Sequence, residues 1–236
     1  MPSEQTEVLV MGGGPAGSTA ATLLRQKGHS VVLLERETFP RFMIGESLLP
    51  AAWGLWNRLG ITARVEAAGY PVKRGVLFRL AHEDGFDEFE IRTDEFPQYF
   101  ERPYTFHVDR ASFDKILIDS AREHGADVRE GCSVQDVLFE GTRAVGARYL
   151  DASGQTREIR AQAIVDATGR RTVMAEKLRL RKANPKLKKV AYYGHFANAG
   201  RVNAEDGSTM TRIHGTDGGW IWFIPLRDGV ASVGVV

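Results

Sequence analysis

A single cysteine stands in 236 residues. Cys132 alone excludes an internal disulfide framework and a zinc site built on cysteines, and at a strand edge it reads as a small packed hydrophobe. The six histidines show no metal-ligand spacing. His107 and His214 are isolated in their segments and read as satisfied structural histidines, so no metal site is expected. Neither sign of charge dominates, since 31 Lys and Arg against 30 Asp and Glu leave a net charge of +1. That balance removes the global electrostatic case for a nucleic acid or a membrane surface as partner. No apolar run approaches the ~18 residues that a membrane span needs. The amino end, MPSEQTEVLV, lacks a basic region, and the apolar run breaks at Gly12, so no targeting segment is read and a cytoplasmic setting is expected. Gly45-Glu46-Ser47 lacks the pattern of a nucleophile elbow. The one local charge excess is Lys177–Lys189, with seven Lys or Arg in 13 residues; it reads as a solvated face.

What is present is globular in kind, with 43% hydrophobic and 26% charged residues, enough for a sizeable core. Glu7–Met11 is a Val-rich run that reads as a buried parallel strand. A helical pattern follows from Ser18 to Lys27, closed by Gly28. Val31–Glu35 is a second buried strand, so the first 35 residues predict a βαβ unit. Beyond a loop at Arg36–Glu46, Ser47 is expected to cap a helix running to about Leu59. A short helix is expected at Thr62–Ala68 and an amphipathic one at Ser112–Glu123. Strands are expected at Gly75–Leu80, Phe86–Arg92, Thr105–Val108, Asp127–Arg129, Val134–Glu140, Ala144–Leu150, Ala163–Asp166, Val190–Phe196, Gly219–Leu226 and Val230–Val236. The last pattern, ASVGVV, stops inside an apolar strand, which predicts that the chain is part of a longer protein.

The glycines between the first strand and helix are specific. Gly12-x-Gly14-x-x-Gly17, with Pro15 and Ala16 inside it, has a strand before it and a helix after it. Gly12 permits the tight turn, Gly14 lets a pyrophosphate approach the backbone, and Gly17 lets helix and strand pack closely. The helix amino end supplies N–H groups and a positive dipole for phosphates. Glu35, 18 residues after Gly17 and followed by Arg36, is placed to accept from both ribose hydroxyls. Its charge would repel a 2′-phosphate, which disfavours NADP.

The fingerprint does not separate NAD from FAD; the rest of the chain does so by resemblance. The segment AQAIVDATGR (161–170), with Ala167, Thr168 and Gly169 at its end, resembles the second nucleotide-contact segment of hydroxylase-type FAD-dependent oxidoreductases. RFMIGESLLP (41–50) resembles a stretch of FAD-dependent halogenases and their monooxygenase and reductase relatives, where Arg41 and Ser47 would lie along the cofactor. Val108-Asp109-Arg110 with Phe113-Asp114 resembles a helix start whose Arg, here Arg110, contacts the flavin nucleotide. Gly131-Cys132-Ser133-Val134 resembles a segment whose Val, here Val134, contacts adenine through its backbone. Trp220-Ile221-Trp222-Phe223-Ile224-Pro225 matches the W-x-W-x-I-P motif of flavin-dependent halogenases. There the paired indoles form an apolar wall between substrate and flavin; by strand periodicity alone they would read as core.

The resemblance implies an α/β protein with a Rossmann-like, hydroxylase-type FAD-binding domain from 1–70 and 106–175. A β-rich substrate domain, incomplete at its carboxyl end, would come from 71–105 and 176–236. It implies FADH2, supplied by a separate flavin reductase, and a halide ion. The flavin hydroperoxide would form hypohalous acid, which attacks an electron-rich aromatic substrate, free or carrier-tethered. The lysine such chemistry needs is Lys73, with Arg74 as the fallback; burial of a lysine exposes a neutral amine. Most lysines, in contrast, are solvated. Three alternatives stay open: an FAD-dependent monooxygenase, a geranylgeranyl-reductase-type enzyme, and a non-catalytic flavin-binding fragment.

Overall fold

The computed structural model describes residues 4–82, 84–200 and 207–236. From the amino end it runs β1 (Glu4–Met11), α1 (Pro15–Gln26), β2 (Val31–Leu34), α2 (Ala52–Leu59), α3 (Thr62–Ala67), β3 (Val72–His82) and β4 (Gly85–Arg92). It continues through β5 (Thr105–Phe106), α4 (Arg110–Glu123), β6 (Asp127–Arg129), β7 (Ser133–Glu140), β8 (Arg143–Leu150), β9 (Thr156–Asp166) and α5 (Val173–Lys177). The remaining strands are β10 (Tyr192–Phe196), β11 (Thr209–Thr216), β12 (Gly219–Pro225) and β13 (Ala231–Val235).

Two units divide the chain, Met1–Phe42 with Ala111–Ala183, and Met43–Arg110 with Asn184–Val236. The boundaries differ from those read in the sequence. Residues 43–70 belong with the second unit, because Trp53, Trp56, Tyr70, Tyr104 and Phe106 pack into one aromatic cluster. The Trp53 indole also donates to Tyr104 O at 2.6 Å.

The first unit is built on a six-stranded sheet of order β6-β2-β1-β9-β8-β7. β6, β2, β1 and β9 are parallel, and β8 and β7 add antiparallel. The apolar runs of β1 and β2 are buried on both faces, as expected for strands in the middle of a covered sheet. Leu9, Met11, Val32 and Leu34 pack with Val134, Ala147, Tyr149 and Ile159, with Cys132 in the same cluster. Val8, Val10, Val31 and Leu33 pack on the other face with Ala21, Ile118 and Ala121.

The second unit holds a sheet of order β10-β13-β12-β11-β3-β4, with β5 pairing β3. β11 lies in the middle of it and has no counterpart among the expected strands. Its inward residues, Thr209 and Thr211, are polar and buried, so an apolar alternation does not reveal it. The helix expected from Ser47 begins five residues later, at Ala52. Ser47 instead forms an isolated bridge with His107. Among the described residues, no helix is long and apolar enough to cross a membrane. No group of three His, Cys, Asp or Glu among them is placed to hold a metal ion.

Candidate functional site

The candidate site residues fall into two constellations among the described residues, one in each unit. In the first unit the glycine turn between β1 and α1 is a tightly built cradle. Gly12 has φ +102°, and a Cβ there would stand 2.4 Å from Ala167 O. A Cβ on Gly17 would stand 1.8 Å from Gly12 O. Both positions admit glycine alone, for reasons internal to the fold. Gly14 differs, since a Cβ there would meet only the Arg41 guanidinium, at 3.7 Å. Of the motif's three glycines, Gly14 is the one whose Cβ space the fold leaves open, and it lies at the amino end of α1. Pro15 opens that helix, followed by Ala16 and Gly17, and no side chain caps it. Its first N–H groups are available to an anion.

Glu35 lies just past β2, nearly buried. Its Oε2 accepts from the Gly13 N–H at 2.6 Å and its Oε1 from the Glu37 N–H at 2.8 Å. Each oxygen retains acceptor capacity for a hydroxyl. Arg36 turns outward, with Nε 3.3 Å from Glu37 Oε1. Arg41 lies over the Phe39 ring at 4.7 Å. Its Nη1 stands 2.8 Å from Oδ2 of Asp114, a carboxylate with no exposed surface. That pairing holds a guanidinium beside Gly14, where a phosphate would need one. Asp114 escaped the sequence reading as a site residue, because its partner is 73 positions away.

Across the cradle, Ala167 N–H donates to Met11 O at 2.8 Å. Thr168 folds onto Asp166 through a 2.6 Å hydroxyl–carboxylate bond. Gly169 has φ +61° with open space at its Cβ position. Val134 is buried in the core cluster beside Cys132, so its side chain faces the core and its backbone is the part left to contact a ligand. Burial raises the Cys132 thiol above its ordinary range, in keeping with an inert packed cysteine. These residues fit a dinucleotide: an open glycine at a helix amino end, a carboxylate held by backbone N–H groups, and a buttressed arginine.

In the second unit, the segment from Ile44 to Leu48 is pinned at each residue. The Arg110 guanidinium donates to Ile44 O at 2.7 Å and lies against Gly45. Glu46, with 1% exposure, places Oε1 2.5 Å from Nε2 of His195. Glu46 O accepts from the Val108 N–H at 2.8 Å. Ser47 Oγ lies 2.5 Å from Thr211 Oγ1. Leu48 O accepts from Lys73 Nζ at 2.7 Å.

Lys73 is inside β3 rather than ahead of it, between Thr105 of β5 and Thr209 of β11 in register. It is 3% exposed. Burial lowers its pKa from 10.5 to about 8, because a desolvated ammonium is disfavoured. Roughly one such amine in ten is neutral at pH 7. Arg74, on the opposite face of β3, lies 5.9 Å from the Tyr104 ring. Beside Lys73 is His107, which has no exposed surface. Its ring nitrogens lie 3.0 Å from Thr209 Oγ1 and 3.0 Å from Thr211 Oγ1. Burial and the Lys73 charge lower its pKa to about 3. The sequence reading of His107 as a satisfied histidine agrees with these contacts but left its partners unnamed, since they lie over 100 residues away.

On β12 the indoles of Trp220 and Trp222 share a face with Ile224. Trp220 is 39% exposed and Ile224 8%; Pro225 ends the strand. The Trp222 Nε1–H donates to Ser232 Oγ at 3.3 Å, and its ring lies across Gly234, where a Cβ would stand 2.2 Å from it.

Residues 5–233 match the model of the FAD binding domain family. The chain is 41% identical over 234 residues to a tryptophan 2-halogenase of Chondromyces crocatus, covering 98% of the chain and 43% of that protein. It is 34% identical over 256 residues to a 1H-pyrrole-2-carbonyl-[peptidyl-carrier protein] chlorinase of Pseudomonas fluorescens, covering 100% of the chain and 56% of that protein. Among solved structures it is similar to the myxobacterial chondrochloren halogenase CndH, an FAD-dependent halogenase, with TM-score 0.83 and 38% identity over 99% of the chain and 53% of the other. The chain therefore spans about half the length of the relatives it matches.

Proposed function

We propose, from the premise that this chain belongs to the FAD binding domain family, that the protein is a flavin-dependent halogenase acting on an electron-rich aromatic substrate. The observation that carries the assignment of chemistry is Lys73, an amine buried inside a strand and shifted to about 8.

The residues that would hold FAD are the backbone of Gly12, Gly14, Pro15, Ala16 and Gly17, the Glu35 carboxylate for the ribose, and Arg41 for the phosphates. Arg36, Val134, Ala167, Thr168 and Gly169 would border it. When bound, reduced FAD with dioxygen would supply the oxidising power that turns halide into hypohalous acid. Lys73 Nζ then donates to the oxygen of the hypohalous acid and polarises the oxygen–halogen bond. As the ring carbon takes the halogen, the departing hydroxide receives a proton from Nζ and leaves as water. The proton that the ring loses restores the ammonium, so ring C–H and hypohalous acid become ring C–halogen and water. An amine with an ordinary pKa near 10.4 would resist that cycle. Trp220 and Trp222 with Ile224 and Pro225 would exclude substrate and water from the cofactor.

The names of two relatives carry electron-rich nitrogen heterocycles, tryptophan in one and a carrier-bound pyrrole in the other. That supports an aromatic substrate, delivered free or on a carrier protein. A separate flavin reductase would be the electron-supplying partner. The test supplies FAD, a flavin reductase with NADH, O2, bromide and an activated phenol, and follows brominated product by mass spectrometry. Product is expected, and Lys73→Ala should lower it by at least roughly a hundredfold. Equal product from Lys73→Ala would remove Lys73 from the mechanism. A flavin-loaded protein that forms no halogenated product from any activated ring would overturn the halogenase reading.

A further inference from the structure

The hydrogen bonds around His107 run in one direction. Thr209 Oγ1 donates to Val72 O at 2.9 Å, so its oxygen is the acceptor for His107 Nδ1 at 3.0 Å. Nδ1 therefore carries the hydrogen. The ring is neutral, since burial and the charge of Lys73 both oppose its protonation. Nε2 is then a bare acceptor. Thr211 must give its hydroxyl hydrogen to Nε2, 3.0 Å away. Its oxygen then accepts from Ser47 Oγ, 2.5 Å away. The direction is Ser47 to Thr211 to His107 to Thr209 to Val72 O.

Both ends of this relay meet Lys73. Val72 precedes it in β3, and Leu48, which follows Ser47, supplies the carbonyl that accepts from Nζ at 2.7 Å. One imidazole thus joins the backbone from which the lysine springs to the carbonyl that holds its amine. Relays of this kind bind several segments into one rigid arrangement, and a fully satisfied buried network specifies a unique geometry. We propose that His107, as the neutral Nδ1–H tautomer, is a positioning residue that sets the Leu48 carbonyl against the Lys73 amine. The inference rests on the assignment of Lys73 above. It adds a fixed tautomer and a fixed sense of hydrogen bonding from Ser47 to Val72.

The experiment labels the histidines of the chain with ¹⁵N, assigns His107 by its absence from His107→Asn, and reads its tautomer at pH 7 by long-range ¹H–¹⁵N NMR. A neutral ring with hydrogen on Nδ1 is expected. Hydrogen on Nε2, or on both nitrogens, overturns the proposal. A second measurement follows the titration of Lys73 through its ¹³Cε shift. Thr211→Val removes the donor to Nε2 and loosens the Ser47–Leu48 segment, so water reaches the amine. The Lys73 pKa should then rise from about 8 toward the ordinary lysine value, by roughly one unit. Thr211→Ser keeps the hydroxyl and should restore it. A folded Thr211→Val whose Lys73 titration is unmoved overturns the positioning role; should that variant not fold, the tautomer of the unsubstituted chain still decides. Neither measurement needs flavin or halide. Failure of the halogenase reading would appear only in the product assay, and failure of this proposal only in the spectra.

Discussion

Lys73→Met should stabilise the protein while removing its chemistry. The native pKa of about 8 against 10.5 states how strongly the fold disfavours the charged amine. A shift of that size corresponds to roughly 3 kcal/mol. The sign follows from proton binding: between these two values the unfolded chain holds more protons than the native one. Stability therefore rises with pH across that window, and below pH 8 the full cost of the buried ammonium remains. A methionine of similar length carries no such cost. It does leave Leu48 O without the 2.7 Å bond from Nζ, a loss of roughly 1 kcal/mol. The variant should gain roughly 2 kcal/mol at pH 7, and the gain should vanish by about pH 10. Urea unfolding of both proteins at pH 7 and pH 9.5 reads the difference, in which the other titrating groups cancel. A Met variant that is less stable at pH 7, or whose advantage does not shrink with pH, refutes the reasoning that Lys73 is a desolvated amine.

The glycine cradle separates folding from binding. Gly17→Ala puts a methyl group 1.8 Å from Gly12 O and should cost more than about 3 kcal/mol in thermal or urea unfolding. Gly14→Ala meets nothing nearer than 3.7 Å; its melting temperature should hold while FAD affinity, by fluorescence titration, falls at least roughly tenfold. Glu35→Ala deprives the Gly13 and Glu37 N–H groups of their acceptor, so both stability and FAD affinity should fall, by about 1–3 kcal/mol in stability. Gly234→Ala drives a methyl group into the Trp222 ring; a shifted indole emission with roughly 1–3 kcal/mol of destabilisation is expected, and unchanged emission would show that the ring does not lie there.

Much of the first unit was legible because its signals are local. The glycines, Glu35 and the apolar runs of β1 and β2 act within 35 residues, and their spacing reflects steric needs of a turn, a helix start and a close crossing. The second unit was harder to read. β11 turns Thr209 and Thr211 inward, so its buried face carries no apolar signal. Ser47 has the residue type of a helix cap, yet its hydroxyl is held by Thr211, 164 positions away. A hydroxyl that finds a partner in a neighbouring strand has no reason to cap a helix.

By itself the sequence determined the glycine turn between β1 and α1, the order of the motifs and the residue types available for chemistry. Only the tertiary structure decided what surrounds them. A lysine's pKa depends on the water it loses, and that loss is produced by strands from distant parts of the chain closing over Lys73. A histidine's tautomer depends on which neighbour donates and which accepts, and the neighbours of His107 are brought to it by pairing across β3 and β11. Short-range spacing encodes shape; desolvation and hydrogen-bond direction arise when the sheet is assembled.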